Sequence, residues 1–178
     1  MKQSLFAVLC FMISMTSVAQ VKNQNPVIPE ADGFVIIKAA KMQPDKNTVY
    51  KAIYDATIAP EDSSQILPAL NMAGSELNAL GVYGIPVNHA KFVVIFHGAA
   101  INGILDNYHY KAIFGIDNPN LKVLTELRKT GVQLFVCGQN LLADNIDFKT
   151  ISPDITVASD ALIVLMSFQN DGYALMSF

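Results

Sequence analysis

From Val49 onward the chain alternates between runs in which nearly every position is apolar and stretches in which apolar residues recur three or four apart. The first pattern predicts strands, the second amphipathic helices. Val49 to Ala56 alternates loosely through Val49, Ala52, Ile53 and Tyr54 and reads as a strand. Pro60-Glu-Asp-Ser-Ser64 carries the capping residues and acids of a helix start. Ile66, Leu67, Leu70, Met72, Ala73, Leu77 and Leu80 then follow at helical spacing as far as Gly81, a stop signal. Lys91-Phe-Val-Val-Ile-Phe96 is an uninterrupted apolar run between His89 and His97-Gly98. Such a run expects cover on both faces, as in a parallel sheet flanked by helices.

A second unit opens at Asn118-Pro-Asn120. Leu121, Leu124 and Leu127 mark one helix face, Lys122, Glu126, Arg128 and Lys129 the other, and Gly131 ends the helix. A strand from Val132 to Val136 leads into Cys137. Gly138-Gln-Asn140 reads as a helix opening, with a short helix from Leu141 to Ile146 and a short strand at Ile155-Thr-Val157. Ser159 or Asp160 caps a further helix through Leu162, Leu165, Met166 and Phe168, and Gly172 to Phe178 closes as a strand. Strand and helix alternate throughout, which predicts an α/β three-layer sandwich around a mainly parallel, five-stranded sheet. Before this domain, residues 20 to 45 hold Pro26, Pro29, Gly33 and Pro44 and show little periodicity. They read as an extended arm lying on the domain or on a neighbouring subunit, with Phe34-Val-Ile-Ile37 as its one candidate strand.

The first residues add a destination. Lys2, the apolar stretch Leu5 to Met15 and the small-x-small site Ser17-Val18-Ala19 make residues 1 to 19 a secretory signal peptide. The stretch is shorter than the roughly 20 apolar residues a bilayer span needs. The expected location is secreted or periplasmic, with no membrane contact after cleavage. Removing the signal takes one Lys and no acid, leaving 11 Lys+Arg against 15 Asp+Glu, a charge of −4 where the whole chain has −3. That balance offers no footprint for nucleic acid. Charged residues make up only 15% of the chain against 52% hydrophobic, so a domain this small is expected to bury surface in a homo-oligomer.

The candidate chemistry centres on Cys137. With the signal cleaved it is the one cysteine left, so no intramolecular disulfide is available. A thiol between a strand end and a helix start can be activated by the helix N-terminus and held open to a ligand; the alternative is an inert, buried cysteine. Ligands of open α/β sheets bind outside the carboxyl ends of the strands, and His97 stands at another such end. If the two strands are neighbours, the imidazole can take the thiol proton and leave a nucleophilic thiolate. Gly98 and Gly138 would allow close approach, and Gln139 and Asn140 would supply amide donors. Asp106-Asn-Tyr-His-Tyr110 reads as a polar, aromatic loop, with His109 either lidding the crevice or simply exposed. His89 and His97 bracket one strand and at about 3.3 Å per residue stand too far apart to share a metal. No metal or cofactor is expected: P-loop, GxGxxG and Cys-x-x-Cys patterns are missing, and Gly74-Ser75 lacks the strand-turn setting of a nucleophile elbow.

His97-Gly98-Ala99, Asn118-Pro-Asn120, Leu124-x-x-Leu127 through Gly131-Val132, Val136-Cys-Gly-Gln139, and Gln169 with Gly172-Tyr173 follow one another in an order that resembles DsrE/DsrF-like proteins, above all their exported branch. The resemblance covers roughly residues 46 to 178. It implies a flavodoxin-like sandwich assembled as a trimer or hexamer. It also implies that Cys137 carries sulfur as a persulfide between a donor and an acceptor, both unknown, with His97 as a motif residue. The expected function is sulfur handling in the cell envelope. The alternatives are a non-catalytic oligomeric module that binds a small ligand or a protein tail, and a redox sensor cycling through sulfenic acid.

Overall fold

The apolar blocks form five strands, β1 Tyr50–Ala56, β2 Ala90–Phe96, β3 Gln133–Cys137, β4 Thr156–Ala158 and β5 Ala174–Ser177. The computed structural model describes residues 26–178 and pairs these strands, all parallel, in the order β4-β3-β2-β1-β5. The signal segment 1–19 and the first residues of the arm lie outside the described residues. Five helices connect the strands: α1 Pro68–Val82, α2 Asn107–Phe114, α3 Asn120–Lys129, α4 Gly138–Ala143 and α5 Ala161–Asn170.

The strand order decides which face each helix covers. From β1 to β4 the chain steps one way across the sheet, and right-handed crossovers then keep the intervening helices on a single face. The larger core lies there, joining Leu70, Ala73 and Leu77 of α1, Tyr110 of α2, Val123, Leu124 and Leu127 of α3 and Leu141 of α4 to Tyr54, Phe92, Val94, Phe96 and Val136. The return from β4 to β5 runs the other way, so α5 lies on the opposite face. Ala161 and Leu165 of α5 pack there on Ile53, Val93, Ile95 and Cys137. Cover on both sides explains why Phe92 to Phe96 is buried at every position.

Three local expectations need correction. Pro60 to Gln65 forms turns, with the Ser64 N–H donating to Asp62 Oδ1 at 2.8 Å, and α1 starts only at Pro68. Proline fits the first helical turn because its missing N–H has no partner to lose there, and the Leu67 N–H just before it donates to Asn120 Oδ1 at 2.7 Å. Phe34 to Ile37 is not a strand: Val35, Ile36 and Ile37 are exposed and pair with no sheet edge. Asp106 to Tyr110 is not a loop either. Asp106 caps α2 by accepting from the His109 N–H at 2.8 Å.

Within the described part of the arm, the stretch from Ile28 to Asp32 packs on α1 and α3. Ile28 is buried, and Asn78 of α1 accepts from its N–H at 2.8 Å and donates to its carbonyl at 2.9 Å. Glu30 pairs with Lys122 on α3.

Candidate functional site

Side chains alternate along a strand, so every second residue shares a face. Ile53 and Asp55 in β1, Val93 and Ile95 in β2, and Phe135 and Cys137 in β3 therefore point toward α5, and the apolar members of this set form one packed cluster. His97 extends β2 by one residue in fully extended backbone (φ −157°), and its N–H donates to the Ala56 carbonyl at 3.0 Å, continuing the ladder. The register sets Phe96 beside Val136, so the next position along sets His97 beside Cys137. The two strands are parallel neighbours, and His97 and Cys137 share a face at their carboxyl ends.

The imidazole has a partner that the sequence reading missed. Its Nε2 lies 2.6 Å from Oδ1 of Asp55 on β1, and both side chains are largely covered. Asp55 left one signal, a lone carboxylate near the end of the otherwise buried run Ala52-Ile-Tyr-Asp-Ala56. Carboxylate, imidazole and thiol thus stand on β1, β2 and β3 in turn. Among the described residues no hydrogen bond joins His97 to Cys137.

Cys137 itself departs from expectation. Its residue is only 4% exposed, because Ala161 and Leu165 of α5 lie across it. The thiol is not held open. The helix that follows is short, Gly138–Ala143, and Cys137 caps it with no side-chain hydrogen bond.

The four other candidate residues divide. The Gly98 N–H donates to Oδ1 of Asn140 at 3.4 Å, a long contact that links the turn after His97 to the start of α4. Gly98 takes φ +57°, a left-handed conformation that glycine enters without steric cost. Gly138 serves packing: a Cβ there would stand 2.7 Å from the Ala158 carbonyl oxygen, so close approach is by β4 backbone. Gln139 is exposed and lines a shallow depression of about 320 Å³ with Gly138, Leu142, Phe148, Val157, Ala158 and Ser159. His109 does not join the site. Its Nδ1 lies 2.8 Å from Asp106 at the start of α2, and α2 packs through Tyr110 on the opposite face of the sheet.

Comparison with known proteins supplies the family. A model of the DsrE/DsrF-like family matches residues 51–178. Among solved structures, MTH1491 of Methanobacterium thermoautotrophicum, a protein of unknown function, is similar at 16% identity with a TM-score of 0.51, over 72% of this chain and 99% of that one. The ychN protein of E. coli is similar at 14% identity with a TM-score of 0.46, again over 72% and 99%. No curated protein matches the chain.

Proposed function

Because the chain belongs to the DsrE/DsrF-like family, whose members are generally connected with sulfur relay, we propose that it is a sulfur-handling protein of the cell envelope with Cys137 as its persulfide carrier. One observation carries this reading: Cys137, His97 and Asp55 share a face at the carboxyl ends of three adjacent strands. Asp55 orients the imidazole, and His97 takes the thiol proton. The thiolate attacks the terminal sulfur of a polysulfide. A sulfur–sulfur bond forms at Sγ while one breaks in the donor, and the shortened polysulfide leaves with the bonding pair. An acceptor thiolate later removes the outer sulfur by the same exchange. Since Ala161 and Leu165 cover the thiol, each exchange requires this end of α5 to shift.

Location and assembly complete the proposal. The envelope assignment rests on the signal-like pattern of residues 1 to 19. Assembly into a homo-oligomer is supported by α5, which has no charged residue and exposes Leu162, Ile163 and Met166. A helix apolar all round is ordinarily buried.

The test is cyanolysis after polysulfide treatment. Cyanide strips the outer sulfur as thiocyanate and returns the thiolate. The proposal expects one thiocyanate per chain, none beyond background from Cys137→Ser, and slower loading of His97→Ala. Equal yields from wild type and Cys137→Ser contradict it. The burial of Cys137 among Ile53, Val93, Ile95 and Leu165 favours a second reading, a binding module whose thiol is only packed. That reading expects the thiol to react only on denaturation.

A further inference from the structure

A cavity of about 260 Å³ lies on the opposite face of the sheet from Cys137, between α1 and the strands β1 and β5. The strand order creates it: β5 is an edge strand, and the α1-side helices follow the chain from β1 toward β4, away from that edge. Met72, Leu80, Phe92, Met176 and Phe178 give it apolar walls. Two of its lining side chains carry polar groups with no partner. Tyr54 is only 1% exposed, held between Phe92 at 5.5 Å and Phe178 at 6.1 Å between ring centroids, yet among the described residues its hydroxyl makes no hydrogen bond. The hydroxyl oxygen is not sealed off by the protein and opens into the cavity. Glu76 on α1 is exposed at the mouth of the cavity, with no cation beside it and no hydrogen bond among the described residues, and partial desolvation raises its carboxyl above the usual range.

The charges nearby are otherwise engaged. Lys51 lines the cavity, but its ammonium donates to the Asp171 carbonyl at 3.1 Å and stands 5.5 Å from the Tyr173 ring. The Tyr50 hydroxyl is bonded to the Asp45 backbone. The cavity therefore presents apolar and aromatic walls, one phenol and one uncompensated carboxylate. We propose that it is a binding site for a small organic amine, with a single-ring or short alkyl body against Phe92, Met72 and Leu80, and an ammonium head between the Glu76 carboxylate and the Tyr54 hydroxyl. An ammonium supplies the cation that Glu76 lacks, satisfies the phenol, and is attracted by the faces of the surrounding rings. A ligand carboxylate would meet Glu76 as a like charge. This site is independent of the chemistry at Cys137.

The test is calorimetric titration of the full chain with three probes of matched body, 2-phenylethylamine, 2-phenylethanol and 3-phenylpropionate. The amine is expected to saturate at one per chain and to bind about tenfold or more tighter than the carboxylate, with the alcohol between them. Glu76→Gln brings the amine down to the level of the alcohol. Tyr54→Phe, which keeps the ring packing, weakens amine and alcohol alike. Ala174→Leu, at a partly open position of β5, fills the cavity and abolishes all three while the circular dichroism is unchanged. Absence of binding by any probe, as when a second copy or the chain's own first residues occupy the cavity, overturns the proposal. So does a carboxylate that binds as tightly as the amine, or an amine preference that survives Glu76→Gln.

Discussion

Leu165→Ala tests whether α5 guards the thiol. Leu165 is 7% exposed and packs in the same cluster as Cys137, Ile53, Val93 and Ile95. Truncating a buried leucine to alanine costs about 2–5 kcal/mol, and a helix that buries only Ala161 and Leu165 against the sheet can settle into part of the gap. The lower range, about 2–3 kcal/mol, is therefore expected. If that loss falls on the closed position of α5, the opening equilibrium rises by about 30- to 150-fold. The native thiol should then react with a disulfide reagent faster by that factor, under conditions where opening and closing are faster than labelling. The measurement is the rate at which the reagent labels Cys137 at neutral pH, taken relative to the fully denatured chain, with Cys137→Ser subtracting any other thiol. Two results refute the reasoning: wild type labelling as fast as the denatured chain, or Leu165→Ala labelling no faster than wild type.

Other consequences are separable. Asp55→Asn keeps the shape of the side chain but removes the charge that orients His97, and should slow persulfide loading at least about tenfold, followed as thiocyanate yield against time. Gly138→Ala sets a methyl 2.7 Å from the Ala158 carbonyl oxygen, where rigid backbone must give way; urea unfolding should show a loss of about 1–3 kcal/mol. Asn78→Ala leaves the buried N–H of Ile28 unpaired, at about 1–3 kcal/mol, and leaves its carbonyl only the 3.3 Å bond from the Ala31 N–H, so the arm should loosen and lose hydrogen-exchange protection at Ile28 while the sheet keeps its own. The carboxyl pair joining arm to α3 predicts a pH dependence. Burial, and next the neighbouring Glu30, pushes Glu126 up to about 7, while hydrogen bonding with Glu126 and Lys122 holds Glu30 below its usual value. Between the ordinary carboxyl value of 4.5 and about 7 the folded chain binds more protons at Glu126 than the unfolded chain does. This part of the stability therefore falls as pH rises through that window. At lower pH the depressed Glu30 acts in the opposite sense, its contribution lost as pH falls. Thermal melts from about pH 5 to about pH 8 should show the decline, and Glu126→Gln should flatten it.

The fold was legible because burial on two faces writes itself into the strands. Phe92 to Phe96 has no polar position and is buried throughout, and β3 keeps much of that character, whereas the short edge strands β4 and β5 are largely exposed. Helix α5 was equally readable, since Asp160 before Ala161 is a local cap, accepting from the N–H groups of Leu162 and Ile163 at 2.8 and 3.2 Å. The start of α1 was not. Residues 60 to 64 have the composition of a helix N-terminus, but the helix starts at Pro68 with the Leu67 N–H held by Asn120, 53 residues distant in sequence. A long-range partner of this kind leaves no local pattern.

The site was half legible for the same reason. Strand ends identified His97 and Cys137, and parallel pairing of β2 with β3 sets them side by side. Asp55 escaped notice because its role depends on β1 being the other neighbour of β2. The burial of Cys137 depends on which face α5 crosses, and that follows from the strand order, with β5 beside β1. The arm likewise carried no periodic signal, since what holds it is the amides of Asn71 and Asn78 on α1 and the pairing of Glu30 with Lys122.

Treatment of the native protein with inorganic polysulfide, then alkylation, digestion and mass measurement of the fragment containing Cys137, addresses the main proposal at the atom concerned. The account predicts that this fragment gains the mass of one sulfur beneath the alkyl group, and that dithiothreitol removes it. Recovery of the fragment unchanged, with any added sulfur found equally on Cys137→Ser protein, would contradict it.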